Sequence, residues 1–453
     1  MGAEAMMGRQ VEQGALFYEF RLEERVPADH LLRRVDAVLD LSWVRERMAR
    51  HYSATGRPSV CPELMVRMLL VGYLYGIRSE HRLCEEVDLN LAYRWFCRLG
   101  LDGHVPDHST FTKNRHGRFR ESGLLRAVFE HVVERCLEAG LASAAHMAVD
   151  GSFVRADASH ARCVTSNEEL PREDASRAVR ERFADLESAL PDPEGVVRTP
   201  PKAVSLTDPA AALSSKHGPS AFAYGMNAMV DTGSGVVLEV QAAPERFADE
   251  PIAARRMVKR LRERHGATPG VLTGDKAYGS GSFLAWLEER KIEAHVPLID
   301  RRHQTGDMLT QDAFTYDEAS DTYTCPQGAV LKRYASNEDI QRYRASQRDC
   351  GVCPLKASCT TSRMRALCRS PYEEVRERVR ARQGTPALRR SMRLRKAVEH
   401  LFGPIKHHDG LRRLRLRGLR GADEQFVLAA TARNLRRLAR WATLPPRWVA
   451  MPA

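Results

Sequence analysis

The stretch "AAHMAVDGSFVRAD", residues 144–157, decides the fold, because helical periodicity stops there and a strand pattern begins. Within it, the compact apolar run 147–149 is followed at once by Asp150 and Gly151. A short apolar run that stops at a turn-forming pair is typical of a buried strand. We therefore predict a strand that ends at Asp150, which places a carboxylate at a strand end.

The residues after this strand alternate between strand and helix patterns. "AFAYGMNAMVD" and "GVVLEVQAAP" are joined by "TGSG", which is typical of a hairpin. A basic helix pattern follows, and then a strand that closes on Asp275, a second helix pattern and the strand "EAHVPLI". Hairpinned strands followed by alternating helices and strands predict an α/β domain with a mixed sheet and flanking helices. We assign it to residues 141–300, with a polar, mostly loop-like insertion at about 157–220.

The regions on either side of this domain have other patterns. Residues 1–140 space their apolar side chains three and four apart, which predicts an all-helical N-terminal domain. Residues 301–380 are polar and cysteine-rich, and we predict a small, loop-rich insertion there. Helical periodicity returns over residues 381–445, which we expect to complete the α/β domain.

Charge and cysteine usage narrow the function. The 453-residue chain has a net charge of +12, and its arginine excess is concentrated in the last quarter. Such a surface favours a polyanion, with nucleic acid as the first candidate, although a solvated arginine-rich face is the alternative. We recognise no secretory signal, and the most apolar run is too short to span a bilayer. We therefore expect a cytoplasmic, nucleoid-associated protein without a membrane partner, whose ten cysteines are thiols or metal ligands.

Three acids lie where an α/β domain can bring carboxylates together. Asp150 and Asp275 each follow a predicted strand, and neighbouring strands bring their ends close in space. Glu399, in "RKAVEHLFGPIK", lies on a predicted helix between Arg395, one turn before it, and Lys406, about two turns after it. Carboxylate oxygens suit Mg²⁺ or Mn²⁺, and two such ions can promote phosphoryl transfer. The alternatives are ordinary: turn residues for the two aspartates, and a surface ion pair between Glu399 and Arg395.

Three motifs, in this order and spacing, resemble the acidic motifs of DDE transposases from bacterial insertion sequences. They are "MAVDGSFVRA" around Asp150, "VLTGDKAYGS" around Asp275 and "RKAVEHLFGPIK" around Glu399. The resemblance extends to the N-terminal region ending in "PDHSTFTKNR", to "VSLTDPAAALSSKHG" and to the C-terminal "GLRRLRLRGLRGADEQFVLAATARNLRRL". It therefore covers most of the chain.

The family's signature around the third acid is Tyr, two residues, Arg, three residues, Glu, six residues, Lys. Arg395, Glu399 and Lys406 fit this signature, whereas Met392 occupies the tyrosine position. This departure leaves the acid in place and removes the hydroxyl that the tyrosine would offer near the DNA backbone.

The resemblance implies a ribonuclease-H-like core and a transposase that acts on DNA. Such an enzyme cuts at the terminal inverted repeats of its element and joins the ends to target DNA. The implied metal ligands for two Mg²⁺ or Mn²⁺ ions are Asp150, Asp275 and Glu399. The N-terminal helices would read the inverted repeats and support a homodimer on DNA. A transposase-derived DNA-binding protein without catalysis and a stand-alone nuclease remain as alternatives, although the presence of all three acids favours an active enzyme.

Basic residues around the acids are the expected contacts to DNA phosphates. By the resemblance, Lys276, Arg395 and Lys406 hold phosphates at the active site. The segment "LRRLRLRGLRG" alternates leucines, which we expect to anchor it, with outward-facing arginines beside the active site. These four arginines are Arg412, Arg413, Arg415 and Arg417.

A cysteine cluster lies between the second and third acids. Cys350 and Cys353 form a C-x-x-C pair, with Cys325 upstream and Cys359 downstream. Four cysteines in a small polar region of a cytosolic protein predict a tetrahedral Zn²⁺ site, which would order a segment with little core. Transposases that resemble this chain often carry such an insertion. Cys368 is a competing ligand, and unpaired thiols are the alternative interpretation.

Overall fold

The computed structural model describes residues 20–53, 55–56, 59–187, 201–215, 219–244, 249–298, 308–336 and 340–443. The N-terminal region is helical, as its apolar spacing predicts. Its helices are α1 (Leu22–Arg25), α2 (Leu31–Asp36), α3 (Val44–Met48), α4 (Pro62–Tyr75), α5 (Glu80–Leu89), α6 (Leu91–Phe96), α7 (His108–Asn114), α8 (Arg120–Ser122) and α9 (Leu124–Glu138). Local signals delimit the long helix α4, which Pro62 opens and Gly76 ends with a left-handed φ of 69°.

The central region forms the predicted mixed sheet. Its strands are β1 (His146–Arg155), β2 (Cys163–Val164), β3 (Val204–Ser205), β4 (Ala212–Ser214), β5 (Ala221–Asp231), β6 (Val237–Pro244), β7 (Val271–Thr273) and β8 (Glu293–His295). The main sheet has the order β4–β5–β1–β7–β8, with β6 paired to β5, while β2 and β3 pair separately. β1 is antiparallel to β5 and parallel to β7, and β7 is parallel to β8. The polar insertion therefore contributes a strand, β4, to the main sheet.

Helices flank this sheet and complete its core. α10 (Arg177–Glu187) packs with β3 in a separate small cluster, and the helices that flank the main sheet are α11 (Asp249–His265) and α12 (Gly281–Glu289). β5 is buried from Phe222 to Asp231, which is typical of a strand in the middle of a covered sheet. Among the described residues, no helix combines the length and apolar character that crossing a bilayer requires.

The cysteine-rich region is a small antiparallel sheet rather than the loop-rich insertion that we predicted. Its strands are β9 (Thr315–Asp317), β10 (Thr322–Thr324), β11 (Val330–Ser336), β12 (Gln341–Arg344) and β13 (Ala366–Arg369), in the order β13–β12–β11–β10–β9. The short helices α13 (Gln347–Gly351) and α14 (Lys356–Cys359) lie between β12 and β13. A separate core of buried side chains, including Tyr323, Leu331 and Tyr343, holds the sheet together. The strands are short and largely exposed, so they carry little apolar alternation in sequence.

The C-terminal helices bind the N-terminal region to the sheet. They are α15 (Glu373–Ala381), α16 (Pro386–Leu394), α17 (Lys396–His407) and α18 (Leu419–Trp441). α18 packs against α4, α9 and β6, and one hydrophobic core includes side chains from all of them. Asn434 fixes this arrangement, because its side chain accepts from Val237 N at 2.8 Å and donates to Val237 O at 2.7 Å. The long helix α18 therefore shares one hydrophobic core with the N-terminal helices and the sheet.

Candidate active site

Asp150 lies in the middle of β1. The strand continues to Arg155 because residues 151–155 remain paired with β5. On its other side β1 loses its partner earlier, since β7 ends at Thr273, which pairs with Ala148. The prediction that the strand ends at Asp150 is therefore wrong. The pairing with β7 ends just before Asp150, at Ala148, so the edge of β1 beside Asp150 is not paired with β7.

Asp275 follows the end of this parallel pairing, as Asp150 does. Ala148 and Thr273 are the last paired residues, and Asp150 and Asp275 each lie two residues beyond them. Asp275 Oδ1 accepts a hydrogen bond from Ala277 N at 2.8 Å and so caps the 3-10 turn that follows β7. This cap holds the carboxylate at the end of β7, and it leaves Lys276 exposed on the turn.

One guanidinium joins Glu399 to Asp150. Arg395 donates from Nη1 to Asp150 Oδ2 at 2.7 Å and from Nη2 to Glu399 Oε1 at 2.7 Å. Arg395 lies at the break between α16 and α17, and Glu399 follows one turn later on α17, which packs against β1 and β5. The structure thus brings all three predicted acids to one place. Arg395, which we expected to hold a phosphate, here pairs with two of them.

The electrostatics of this site favour a cation. Burial raises the pKa of Asp150 from 3.8 to about 6, because a charged carboxylate loses solvation there. Arg395 and the N–H of Gly151, which donates to Asp150 Oδ1 at 2.8 Å, lower this pKa. The negative charges of Asp275 and Glu250 raise it. Asp150 and Glu399 therefore share one guanidinium, and two further carboxylates act on the Asp150 position.

Glu250 is an acid of this site that the sequence interpretation missed. It lies in the first turn of α11, and its carboxylate approaches the backbone of Gly151. Tyr278 is fully buried beside it, and burial raises the pKa of that phenol well above its ordinary value, with Glu250, Asp150 and Asp275 adding to the effect. An acid in the first turn of a helix is favourable in any helix, so nothing in the sequence distinguishes Glu250.

The donor set suits a hard divalent cation in type and charge. In the part of the chain that the structure describes, no three acid, histidine or cysteine side chains already enclose a point where a metal ion could be held. At the acids the reason is visible, since the guanidinium of Arg395 lies between Asp150 and Glu399. An ion held by both carboxylates would have to displace this guanidinium.

The arginine-rich segment 411–417 lies against the far end of β1. Leu414 N donates to Arg155 O at 2.7 Å, so the segment lies five residues, or roughly 16 Å, along the strand from Asp150. Leu411 and Leu414 are buried, and the segment's arginines are exposed, as the alternation predicts. The exposed arginines are Arg412, Arg413, Arg415 and Arg417.

Two of these arginines form ion pairs within the chain. Asp157 accepts from Arg413 Nη2 at 2.8 Å and from Arg417 Nε at 3.0 Å. Both guanidiniums remain largely exposed, with side-chain exposures of 61% and 44%. Arg412 Nη2 lies 2.6 Å from His407 Nδ1. Lys406, in the last turn of α17, is half-buried.

The four predicted zinc ligands lie around one cavity. Cys325, Cys350, Cys353 and Cys359 all line it, and none forms a disulfide. Burial raises the pKa of the Cys359 thiol, and the other three cysteines raise it further. Within the described ranges, no three of these cysteines are already arranged around a point that could hold a metal ion. The competing ligand Cys368 is exposed on β13 and is not part of the described lining of this cavity.

Two family models match the chain. A transposase domain matches residues 20–117, which contain α1 to α7, and a transposase DDE domain matches residues 324–439. The second match contains Arg395, Glu399 and the four cysteines. No curated protein matches.

Among solved structures, the chain is similar to a piggyBac transposase synaptic complex with hairpin DNA, determined by cryo-electron microscopy. The two are 10% identical, with a TM-score of 0.32. The similarity covers 92% of this chain and 83% of that one.

Proposed function

Because this chain belongs to the DDE transposases, we propose that Asp150, Asp275 and Glu399 bind the divalent metal ions of a DNA-cleaving and strand-joining active site. One observation carries the proposal: β1, the turn after β7 and α17 bring these three acids together, although they are far apart in sequence. Their oxygen ligands favour Mg²⁺ or Mn²⁺, and we propose two ions.

The chemistry would be phosphodiester hydrolysis at the element ends, followed by transesterification into target DNA. Asp150, Asp275 and Glu399 would hold the two ions, which would activate a water or the 3′-hydroxyl of the DNA and would stabilise the leaving oxygen. Lys276 is exposed next to Asp275, where its ammonium can hold a phosphate on the incoming strand. Arg395, once released from the carboxylates, presents a guanidinium fork that matches phosphate oxygens, and Lys406 adds positive charge on the same helix.

We propose that the core is ribonuclease-H-like, a proposal supported by its strand order and directions. β6, β5 and β1 form an antiparallel run, and β7 and β8 then add in parallel on the other edge of β1. We assign the core to residues 141–300 and 381–445, interrupted by the cysteine-rich region at 301–380. Residues 1–140 form the DNA-binding and dimerisation domain in this proposal.

Double-stranded DNA is the proposed partner, as both the terminal inverted repeats and the target. The four exposed arginines of segment 411–417 lie along β1 from the acids, where a duplex entering the site would pass them. Their phosphate contacts would add affinity without reading sequence. We further propose a homodimer on DNA. We also propose a cytoplasmic, nucleoid-associated location, because the net charge of +12 favours binding to a polyanion such as nucleic acid.

We propose that Cys325, Cys350, Cys353 and Cys359 bind one Zn²⁺. Support comes from their common cavity and from the small separate core of the surrounding sheet. A sheet with so few buried side chains would gain stability from a metal ion that ties β10 to the α13–α14 segment.

The test of the active site is cleavage of DNA that carries the element's ends, with Mg²⁺ or Mn²⁺. Asp150→Asn, Asp275→Asn and Glu399→Gln should each reduce cleavage by at least about 10³-fold, because the acids act as a unit. DNA binding should change little, since it arises from the basic surface. The matched controls are Asp102→Asn and Glu263→Gln, which alter exposed acids in a loop and on α11.

The controls should cleave at the wild-type rate. Substantial cleavage by any of the three variants would remove that residue from the site. Wild-type protein that binds the element ends and does not cleave with either metal would favour the alternative, a transposase-derived DNA-binding protein.

A further inference from the structure

Gly151 leaves a gap on β1 toward which two side-chain oxygens point. A methyl group placed on Gly151 would lie 3.2 Å from Glu250 Oε1 and 3.2 Å from Asn227 Oδ1, which is tighter than ordinary van der Waals contact. Asn227 lies directly opposite Gly151 on β5, and Glu250 comes from α11. Two oxygens from different elements therefore face one point on the strand that carries Asp150.

Among the described residues, the Asn227 oxygen lacks the hydrogen-bond donor that a buried acceptor normally has. Asn227 is 2% exposed, and within the described residues its Oδ1 has no hydrogen-bond partner. The hydroxyl of the fully buried Tyr278 is likewise without a partner there. Leaving buried polar atoms unsatisfied is unfavourable, so each such atom requires an explanation. A bound cation is one such explanation, because it can be coordinated by a carboxylate oxygen and by an amide oxygen at the same time.

Gly151 also explains how Glu250 comes near the other acids. Successive side chains of a strand point to opposite faces, so Glu250 approaches β1 from the face opposite the Asp150 position. At Gly151 no side chain intervenes, and Asp150 turns toward this same residue by accepting its N–H. Both carboxylates therefore lie beside Gly151.

We propose that Glu250 is a fourth carboxylate ligand of the divalent metal site, with Asn227 Oδ1 as a neutral oxygen donor beside it. The inference rests on the proposed function of Asp150, Asp275 and Glu399. Mg²⁺ requires six oxygen ligands in nearly octahedral geometry, and the additional protein oxygens raise the number that this chain supplies. The ligands then come from β1, β5, α11, the turn after β7, and α17.

The experiment is a titration of full-length protein with Mn²⁺, with free Mn²⁺ measured by electron paramagnetic resonance. Glu250→Gln should weaken Mn²⁺ binding by at least about 10-fold, as expected for the loss of a group that holds the metal. Glu263→Gln is the matched control, since it makes the same substitution at an exposed position of the same helix, and its affinity should equal that of the wild type. Cleavage with Mn²⁺ should fall in the Glu250→Gln variant alone.

A second variant keeps the carboxylate and displaces it. Gly151→Ala should move Glu250 and Asn227 away by a few tenths of an ångström, and it should weaken Mn²⁺ binding several-fold while circular dichroism and DNA binding are retained. If Glu250→Gln does not fold, this variant decides the question. Wild-type Mn²⁺ affinity in the folded variants overturns the inference. Asp150→Asn separates the two proposals: if it loses Mn²⁺ binding while Glu250→Gln does not, only the fourth ligand is wrong.

Discussion

Asp150 should destabilise the metal-free fold, and its neutralisation should therefore stabilise it. Burial raises the pKa of this carboxyl from the ordinary 3.8 to about 6, and the Asp150 side chain is only 18% exposed. At 1.36 kcal/mol per pH unit, this difference corresponds to about 3 kcal/mol of unfolding free energy. Because the folded-state pKa is the higher one, the penalty is absent well below pH 3.8. It grows between pH 3.8 and 6 and is complete above about pH 6.

Asp150→Asn should therefore raise the free energy of unfolding by about 3 kcal/mol at pH 8, and by less than about 1 kcal/mol at pH 4. Arg395 keeps Glu399 as a partner in this variant, so its guanidinium is not left unpaired. The measurement is urea unfolding without added divalent ions, followed by circular dichroism at both pH values. Asp102→Asn, at an exposed position, should stay within about 0.5 kcal/mol of the wild type throughout.

Mn²⁺ should reverse the order of stability. A ligand at about 1,000 times its Kd stabilises the folded state by about 4.1 kcal/mol, which exceeds the penalty of about 3 kcal/mol, and the wild type should gain this stabilisation while Asp150→Asn should not. Equal stability of the two metal-free proteins at pH 8 would refute the reasoning, as would a gain that does not depend on pH. Either result would mean that Asp150 is better solvated or better paired than its surroundings indicate.

Three further predictions concern the surfaces around the site. If the four cavity-lining cysteines bind zinc, protein purified under reducing conditions should contain about one Zn²⁺ per chain. Removing the zinc with a chelator should then make residues 301–380 sensitive to protease. A metal analysis that finds no zinc would contradict this prediction. Replacing the four arginines of segment 411–417 with alanine should weaken binding to element ends and to random DNA by similar factors and make the salt dependence shallower. If only the binding to element ends is lost, these arginines contact the bases and not the phosphates. If neither affinity changes, they form a solvent-exposed surface that does not contact DNA. Asp157→Asn should strengthen binding to random DNA, because it releases Arg413 and Arg417 from their ion pairs, and unchanged affinity would show that those arginines do not meet the duplex.

Local patterns account for much of the architecture. The helices before residue 140, the mixed sheet and the helices after residue 381 all follow from apolar spacing, because burial selects one face of each element. The small cysteine-rich sheet escaped prediction because its short strands bury few side chains. The end of β1 was misplaced at Asp150, since the Asp-Gly pair reads locally as a turn while pairing with β5 carries the strand on to Arg155.

The sequence by itself determined which acids and bases are present and, through motifs that resemble a known family, which three acids belong together. Only the tertiary structure decided how they meet: the parallel pairing of β1 with β7 ends two residues before both Asp150 and Asp275, and Arg395 joins Asp150 to Glu399. It also brought in Glu250, whose position in a first helical turn carries no local signal. The physical reason is that periodicity reports only which face of an element is buried. Strand register and helix docking, which set distances between residues remote in sequence, depend on the packing of the whole core.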